Sequence, residues 1–281
     1  MLQLPSAAPN DFSRVTNPGP GDFVWWTDSD GEAHCERANQ RVAYDAFGRA
    51  RRARASHNYP KRRHYEGEYW FAGTRKLVWF ESLLEYTALM RLDYLFPITQ
   101  ISAQPMCIVY ADGHRSFPDY FALHADGRRV LYEVKSRHHL TEEVAAQFRQ
   151  TAEVCYRIGW EFSVIQEFPV LSRKNLEWVG AYRHPWYAPS RERRNEFLRS
   201  LRTPCTFGQA MQELDPASPP RSIHTLYHLI WTRDLVFDGS RRLNLGSVLT
   251  SGDNPNSSDA TPNALPTIAQ TTLLRPNQLA A

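Results

Sequence analysis

Hydrophobic and polar positions alternate most clearly between Phe117 and Arg137, where aromatic and aliphatic residues flank Ala125, Asp126 and Gly127. This spacing predicts two strands joined by a tight turn, because Asp-Gly accepts the positive φ that a hairpin needs. Strand side chains point to opposite faces in turn. Glu133 and Lys135 therefore share one face, and Tyr132 and Val134 take the other, the core face. The hairpin brings the start of its first strand, at Asp119, beside the end of its second. Asp119, Glu133 and Lys135 are expected to form one cluster.

The flanks supply further elements. Upstream, Leu77, Phe80, Leu84, Leu89, Leu92 and Leu95 recur near helical spacing. Glu81 stands near the start of that predicted helix and Glu85 one turn beyond it, so either can bring in an acid. The residues before it, from Tyr69, read as a strand and a Gly-centred turn. Downstream, the stretch from His139 predicts a second helix with Thr141 as cap and Gly159 as stop, and Glu161 to Glu167 predicts a strand. The segment from Ile98 is strand-like through Gln104-Pro105. Met106 to Tyr110 is continuously apolar, as in a strand buried on both faces, and ends at an Asp112-Gly113 turn. Nearer the amino terminus, Asp28-Ser29-Asp30-Gly31 separates Phe23-Val24-Trp25-Trp26 from a second strand-like segment, which predicts another hairpin. Trp25 and Trp26 form either a buried platform or a surface on which bases stack. Residues 1 to 20, rich in Pro, Ser, Asn and Gly, read as a loose arm.

After Glu167 the pattern loosens, and Pro169 to Arg191 reads as a linker that packs in places. Helices are predicted over Arg193 to Leu201 and Thr206 to Leu214, then a Pro-rich break, then a helix from Ser222 and a hairpin around Asp238-Gly239. Two helices followed by two strands resemble a winged-helix module, with Arg241 and Arg242 near the wing. Its second helix is rich in Tyr, Leu, Ile and Trp, with His224, His228 and Arg233 its only basic residues. That composition favours protein docking over base reading, which fold analogy alone does not decide. Residues 251 to 281 read as a disordered tail, with Leu273-Leu274-Arg275-Pro276 as a short docking peptide.

Composition narrows the class. The chain has 281 residues, 42% hydrophobic and 22% charged, with no apolar run long enough to span a bilayer and no secretory signal. A cytoplasmic protein that makes no membrane contact is expected. Cys35, Cys107, Cys155 and Cys205 stand singly, which argues against a zinc site or a disulfide scaffold and for reduced thiols. The net charge of +3 is small, but Arg49, Arg51, Arg52, Arg54, Lys61, Arg62 and Arg63 form a run with no acid among them. Such a run can neutralise phosphates. A second cluster, Arg191, Arg193, Arg194, Arg199 and Arg202, is diluted by Glu192 and Glu196. The candidate DNA contacts are Arg51, Arg52, Arg54, Lys61, Arg62 and Arg63, with Arg137 and His138 just after Lys135.

Two carboxylates beside an ammonium suit a hard cation. Oxygen ligands hold Mg²⁺, with Mn²⁺ as a substitute, while leaving room for phosphate oxygens and water. The lysine orients the water or offsets charge on the phosphate. The order of a helix with Glu81, strands with Pro118-Asp119 and Glu133-Val134-Lys135, a helix and a strand resembles the PD-(D/E)xK nuclease superfamily. From Tyr59 to Glu167 the combination of Phe80-Glu81-Ser82, Glu85, Gln104-Pro105, Phe117-Pro118-Asp119-Tyr120, Asp126-Gly127-Arg128 and Glu133-Val134-Lys135 is similar to the TnsA endonuclease subunit of heteromeric transposases.

This resemblance implies an α/β chain with a restriction-endonuclease-like mixed sheet flanked by helices, followed by a winged-helix-like domain. It implies metal-dependent cutting of double-stranded DNA at transposon ends, beside a TnsB-like transposase and a TnsC-like ATPase regulator, in a bacterial cytoplasm at the nucleoid. By the same resemblance Glu81, Asp119 and Glu133 are metal ligands and Lys135 is the catalytic lysine. The position of Glu133 varies in side chain among the related subunits. The expected divisions are an arm with a hairpin and a basic segment over 1–55, a nuclease domain over 56–170, the winged-helix-like domain over 171–250 and the tail. Rival readings are a stand-alone restriction or repair nuclease, and an inactive DNA-binding or scaffold protein.

Overall fold

The run Phe23-Val24-Trp25-Trp26-Thr27 forms β1 (Phe23–Thr27), and the predicted turn returns the chain as β2 (Ala33–Arg37). Asp28 builds that turn: its Oδ1 accepts the N–H groups of Asp30, Gly31 and Glu32, and Gly31 takes the positive φ of 94° that favours glycine. In the computed structural model the described residues are 11–55 and 65–252, together with the backbone of Leu273–Leu274. They divide into two units, one of the described residues up to 88, 98–167 and Leu273–Leu274, the other of 89–97 and 168–252. The architecture is mixed α/β with several small sheets.

In the first unit β3 (Gly67–Phe71) and β4 (Lys76–Phe80) pair antiparallel, and α1 (Leu83–Leu95), whose residues from Leu89 are counted with the second unit, begins only after them. The helix expected from Leu77 therefore starts late. Val78, Trp79 and Phe80 are β-branched or aromatic and find partners across a strand pair in Tyr69, Glu68 and Gly67, which outweighs the approximate helical spacing of the leucines. Glu81 consequently lies ahead of the helix and Glu85 in its first turn.

β5 (Ile98–Ala103), β6 (Cys107–Val109), β7 (Arg115–Ser116), β8 (Tyr120–His124) and β9 (Arg129–Val134) follow. The single strand-like run around Gln104-Pro105 is thus shared between two sheets. α2 (Glu142–Ile158) has the expected ends: Thr141 accepts the Val144 N–H, and Gly159 closes the helix at φ 94°. β10 (Glu161–Ile165) lies parallel to β9. One sheet has the order β2-β1-β6-β7. The other has the order β14-β10-β9-β8-β5, where β14 is Leu273–Leu274.

An apolar cluster, larger than a second one around Phe23 and Trp25, ties these pieces together. Val24 and Trp26 of β1, Phe47, Ile108 of β6, Phe121 of β8, Leu131 of β9, Phe148 and Ala152 of α2 and Phe162 of β10 are buried against one another. Full burial of a phenylalanine contributes about 1.5–3 kcal/mol, so Phe47 alone anchors its segment firmly. Residues 12–54 accordingly belong to this unit, with β1 paired to β6 across the expected boundary at residue 55. Leu131 and Tyr132 are both buried although they point to opposite faces, so both faces of β9 are covered and not the Tyr132 face alone.

In the second unit the expected linker contains α3 (Val170–Gly180). Its buried positions Ser172, Asn175, Leu176 and Val179 have helical spacing but are half polar, which hid the period. The Asn175 side-chain amide donates to the carbonyls of Gly239 and Arg241, at 2.9 and 2.7 Å. Then come α4 (Arg191–Ser200), β11 (Cys205–Thr206), α5 (Phe207–Leu214), α6 (Ile223–Trp231), β12 (Leu235–Phe237) and β13 (Val248–Ser251). The strand order is β11-β13-β12. Thr206 and Gln209 form a reciprocal cap at the start of α5. Arg233 Nη1 donates to the Leu95 carbonyl at 2.6 Å.

Among the described residues no helix is long and apolar enough to cross a membrane. All four cysteines are free, Cys107 and Cys155 buried. The expected disorder of the tail falls outside the described residues from 253 onward, β14 apart. The arm reading for residues 1–10 does too, while Phe12 and Val15 are buried.

Candidate functional site

The register of the central hairpin decides what meets at its open end. Tyr120 pairs with Tyr132 and Phe121 with Leu131, so the next opposed pair outward is Asp119 with Glu133. Opposed residues of antiparallel strands project to the same side. The two carboxyl groups lie close enough to shift one another's pKa, and Lys135 lies close enough to Glu133 for their charges to interact. Gly127, at φ 87°, supplies the turn that sets this register.

Each acid is held from a different direction. Asp119 Oδ2 accepts the Val134 N–H at 2.7 Å. Glu133, only 9% exposed, receives the Ser116 hydroxyl at 3.5 Å. Ser116 in turn interacts with Tyr110, whose hydroxyl lies 2.6 Å from that of Thr151, so a polar chain runs inward behind Glu133. Glu85 accepts the Ser82 hydroxyl and the Glu81 N–H, both at 2.8 Å. The Tyr120 hydroxyl approaches Glu85 at 3.5 Å and donates to the Trp79 carbonyl.

Electrostatics mark these acids as a group. Burial pushes the Asp119 carboxyl up, and the Glu85 charge adds to it. Burial likewise raises Glu133 well above the usual carboxylate range, with Asp119 the next cause. Glu85 is raised by burial, with the charge of Glu81 adding to it. The acid whose charge reaches Asp119 most strongly is thus Glu85. Glu81, the first expected acid, is held by Arg54 through a 2.9 Å ion pair.

The expected DNA contacts separate. Arg52 lies over the Trp79 ring at 4.5 Å, and Arg54 lies over Phe117 beside the acids. Arg51 is bound into the β1–β2 turn, donating to the Ser29 carbonyl at 3.0 Å. Arg137 and His138 are exposed on a short 3₁₀ turn after Lys135. Lys61, Arg62 and Arg63 lie outside the described residues. Trp25 and Trp26 are buried, so the platform reading of this pair holds and neither offers a face for stacking bases. Sequence reasoning gave Ser116 and Tyr110 no place at the site, because they reach it only through long-range pairing, and it named Tyr120 only as part of the motif around Asp119.

Elsewhere, Asp28, Glu32 and His34 bring ligand atoms within 4.8 Å of one another. Asp28 there is already engaged by the turn N–H groups and by His34 Nε2 at 2.9 Å, which draw its carboxyl down to about 2. Among the described residues, the acids around Asp119 do not gather three ligand oxygens that tightly. Their chemistry nevertheless fits a hard divalent cation: all the donors are carboxylate oxygens, they crowd one another, and Mg²⁺ keeps several of its waters. No protein-family model matches the chain, and no curated protein matches it in sequence.

Proposed function

We propose that the chain is a Mg²⁺-dependent DNA endonuclease subunit that hydrolyses phosphodiester bonds at the ends of a mobile element. The observation that carries this reading is the meeting of Asp119 with Glu133 across the hairpin, with Lys135 on the same face and Glu85 brought in by α1. Asp119, Glu133 and Glu85, with Glu81 at the margin, are the residues that would hold the cation. When bound, it would polarise a phosphate oxygen and lower the pKa of its water.

The protein's own groups do the rest. Lys135 orients the attacking water and offsets charge growing on the phosphate. Ser116 and the Val134 N–H fix the acids in place. Arg52, Arg54 and the turn at Arg137 and His138 supply contacts to the DNA backbone, which position the duplex without reading its sequence. The strand order β14-β10-β9-β8-β5 with α2 packed on it supports a restriction-endonuclease-like core.

In the second unit, α4, β11, α5 and α6 followed by β12 and β13 support a winged-helix-like module. Leu226 through Trp231 of α6 are buried and Arg233 is bonded to the Leu95 carbonyl, which favours protein docking over base reading. Following the TnsA resemblance, its partners are a TnsB-like transposase and a TnsC-like ATPase regulator.

The test is cleavage of plasmid and transposon-end duplexes with Mg²⁺, with and without the partner proteins. Asp119→Ala should abolish cutting while the protein stays folded by circular dichroism. Lys135→Ala should slow it by roughly 10²–10⁴-fold with DNA affinity nearly unchanged. A folded Asp119→Ala protein that still cuts overturns the assignment. Cutting without any transposase makes it a stand-alone nuclease.

A further inference from the structure

Arg54 is delivered to the acids by a backbone relay. The Arg51 N–H donates to the Thr27 carbonyl at 2.9 Å, and the Ala53 N–H donates to the Gln104 carbonyl at 2.8 Å. Gln104 in turn donates its own N–H to the Asp119 carbonyl at 2.7 Å. Buried Gln104 adopts a left-handed φ of 46°, a conformation that a non-glycine residue keeps only where its surroundings enforce it. The segment before Arg54 is therefore tied through one strained residue to the strand that carries Asp119.

The guanidinium itself is held less firmly. It makes one hydrogen bond to Glu81, from Nη2 to Oε2, where a forked pair would make two, and its side chain is 37% exposed. Its guanidinium carbon also lies 5.7 Å from the Phe117 ring centroid. Yet its positive charge acts on Glu85, Asp119 and Glu133 together.

We propose that Arg54 is the built-in counter-ion of the acid cluster in the metal-free protein and passes to a DNA phosphate when a divalent cation enters. Two cations compete for the same acids, and direct coordination by a doubly charged ion wins over a single exposed guanidinium contact. Arginine is well matched to a phosphate once released, because its planar donors bind phosphate oxygens in pairs. Metal binding and DNA binding are then coupled through one side chain. This inference rests on the reading of the acids as a cation site.

The experiment uses the full chain carrying Lys135→Ala, so that binding is measured without cleavage. Mn²⁺ affinity is read by calorimetry without DNA, and duplex affinity by anisotropy with and without Mg²⁺. Adding Arg54→Gln should tighten Mn²⁺ binding about fivefold, and should shrink the gain in duplex affinity caused by Mg²⁺ from about tenfold to less than about twofold. Arg54→Lys, which keeps the charge, should retain the parent Mn²⁺ affinity.

Arg54→Met keeps the stem against Phe117 and serves as the second neutral variant if Arg54→Gln melts early. A neutral variant with unchanged melting that binds Mn²⁺ no tighter, or keeps the full Mg²⁺ effect on DNA, overturns the proposal. Asp119→Ala separates the two layers. If it leaves Mn²⁺ binding intact, the cation-site reading itself fails; if it removes binding while Arg54→Gln changes nothing, only the role of Arg54 fails.

Discussion

Two carboxylates in this chain, the buried Asp234 and the half-buried Asp119, live under opposite conditions. Asp234, in the second unit, faces a complete set of partners: Arg194 donates Nε to Oδ2 at 3.0 Å and Nη2 to Oδ1, and the Thr232 hydroxyl adds a 2.7 Å bond. Asp119, in the first unit, has one backbone N–H and shares its surroundings with Glu133 and Glu85. The first arrangement answers a buried charge with a forked guanidinium and needs nothing more. The second crowds several carboxyl groups together, the arrangement that the proposed cation site requires. The contrast separates an acid that holds a fold together from one that, on the proposed reading, binds a cation.

Conservative replacements should sharpen that contrast. Asp234→Asn breaks a buried forked pair and should destabilise its unit by roughly 3 kcal/mol, read as an earlier urea midpoint. Asp119→Asn removes one of several crowded charges and should leave the metal-free melting temperature level or higher, while Mg²⁺ no longer raises it. If Asp119→Asn instead destabilises as Asp234→Asn does, the two acids are alike and the distinction collapses.

A smaller effect tests which acid of the α1 region belongs to the group. Glu85→Gln should weaken Mn²⁺ binding about tenfold, and Glu81→Gln by clearly less, because Glu81 is engaged by Arg54 and precedes the helix. The reverse order, measured by calorimetry, would return Glu81 to the role expected from the sequence.

The smallest effect is in pH. Asp119, Glu85 and Glu133 are raised above their unfolded values near pH 4, so they favour the fold fully only below that pH. As pH rises through their folded values, the metal-free protein loses that contribution. A bound cation reverses the penalty, so the Mg²⁺-induced shift in melting temperature should grow from about pH 5.5 to about pH 8. A shift that shrinks over this range contradicts the crowding described here.

Much of the first unit was legible because its signals are local. The Asp126-Gly127 turn, the alternation that puts Glu133 beside Lys135, and the Thr141 and Gly159 ends of α2 are each set by a few neighbouring residues. What escaped depends on distant partners. Val78-Trp79-Phe80 became a strand only because Gly67–Phe71 lies opposite it, and α3 buries Ser172 and Asn175, polar residues that an apolar pattern does not reveal. The pairing of Arg54 with Glu81 was equally invisible, since charge counting finds the arginine but not the acid it meets.

The turn at Ala125–Gly127 also acts as a ruler. Loops of this kind usually absorb an added residue with little harm, but here the count between the strands sets where both site acids point. One extra residue that shifted the β8–β9 register would swing Glu133 and Lys135 to the opposite side from Asp119. An exposed loop that touches neither acid thus governs their chemistry as strictly as any residue inside.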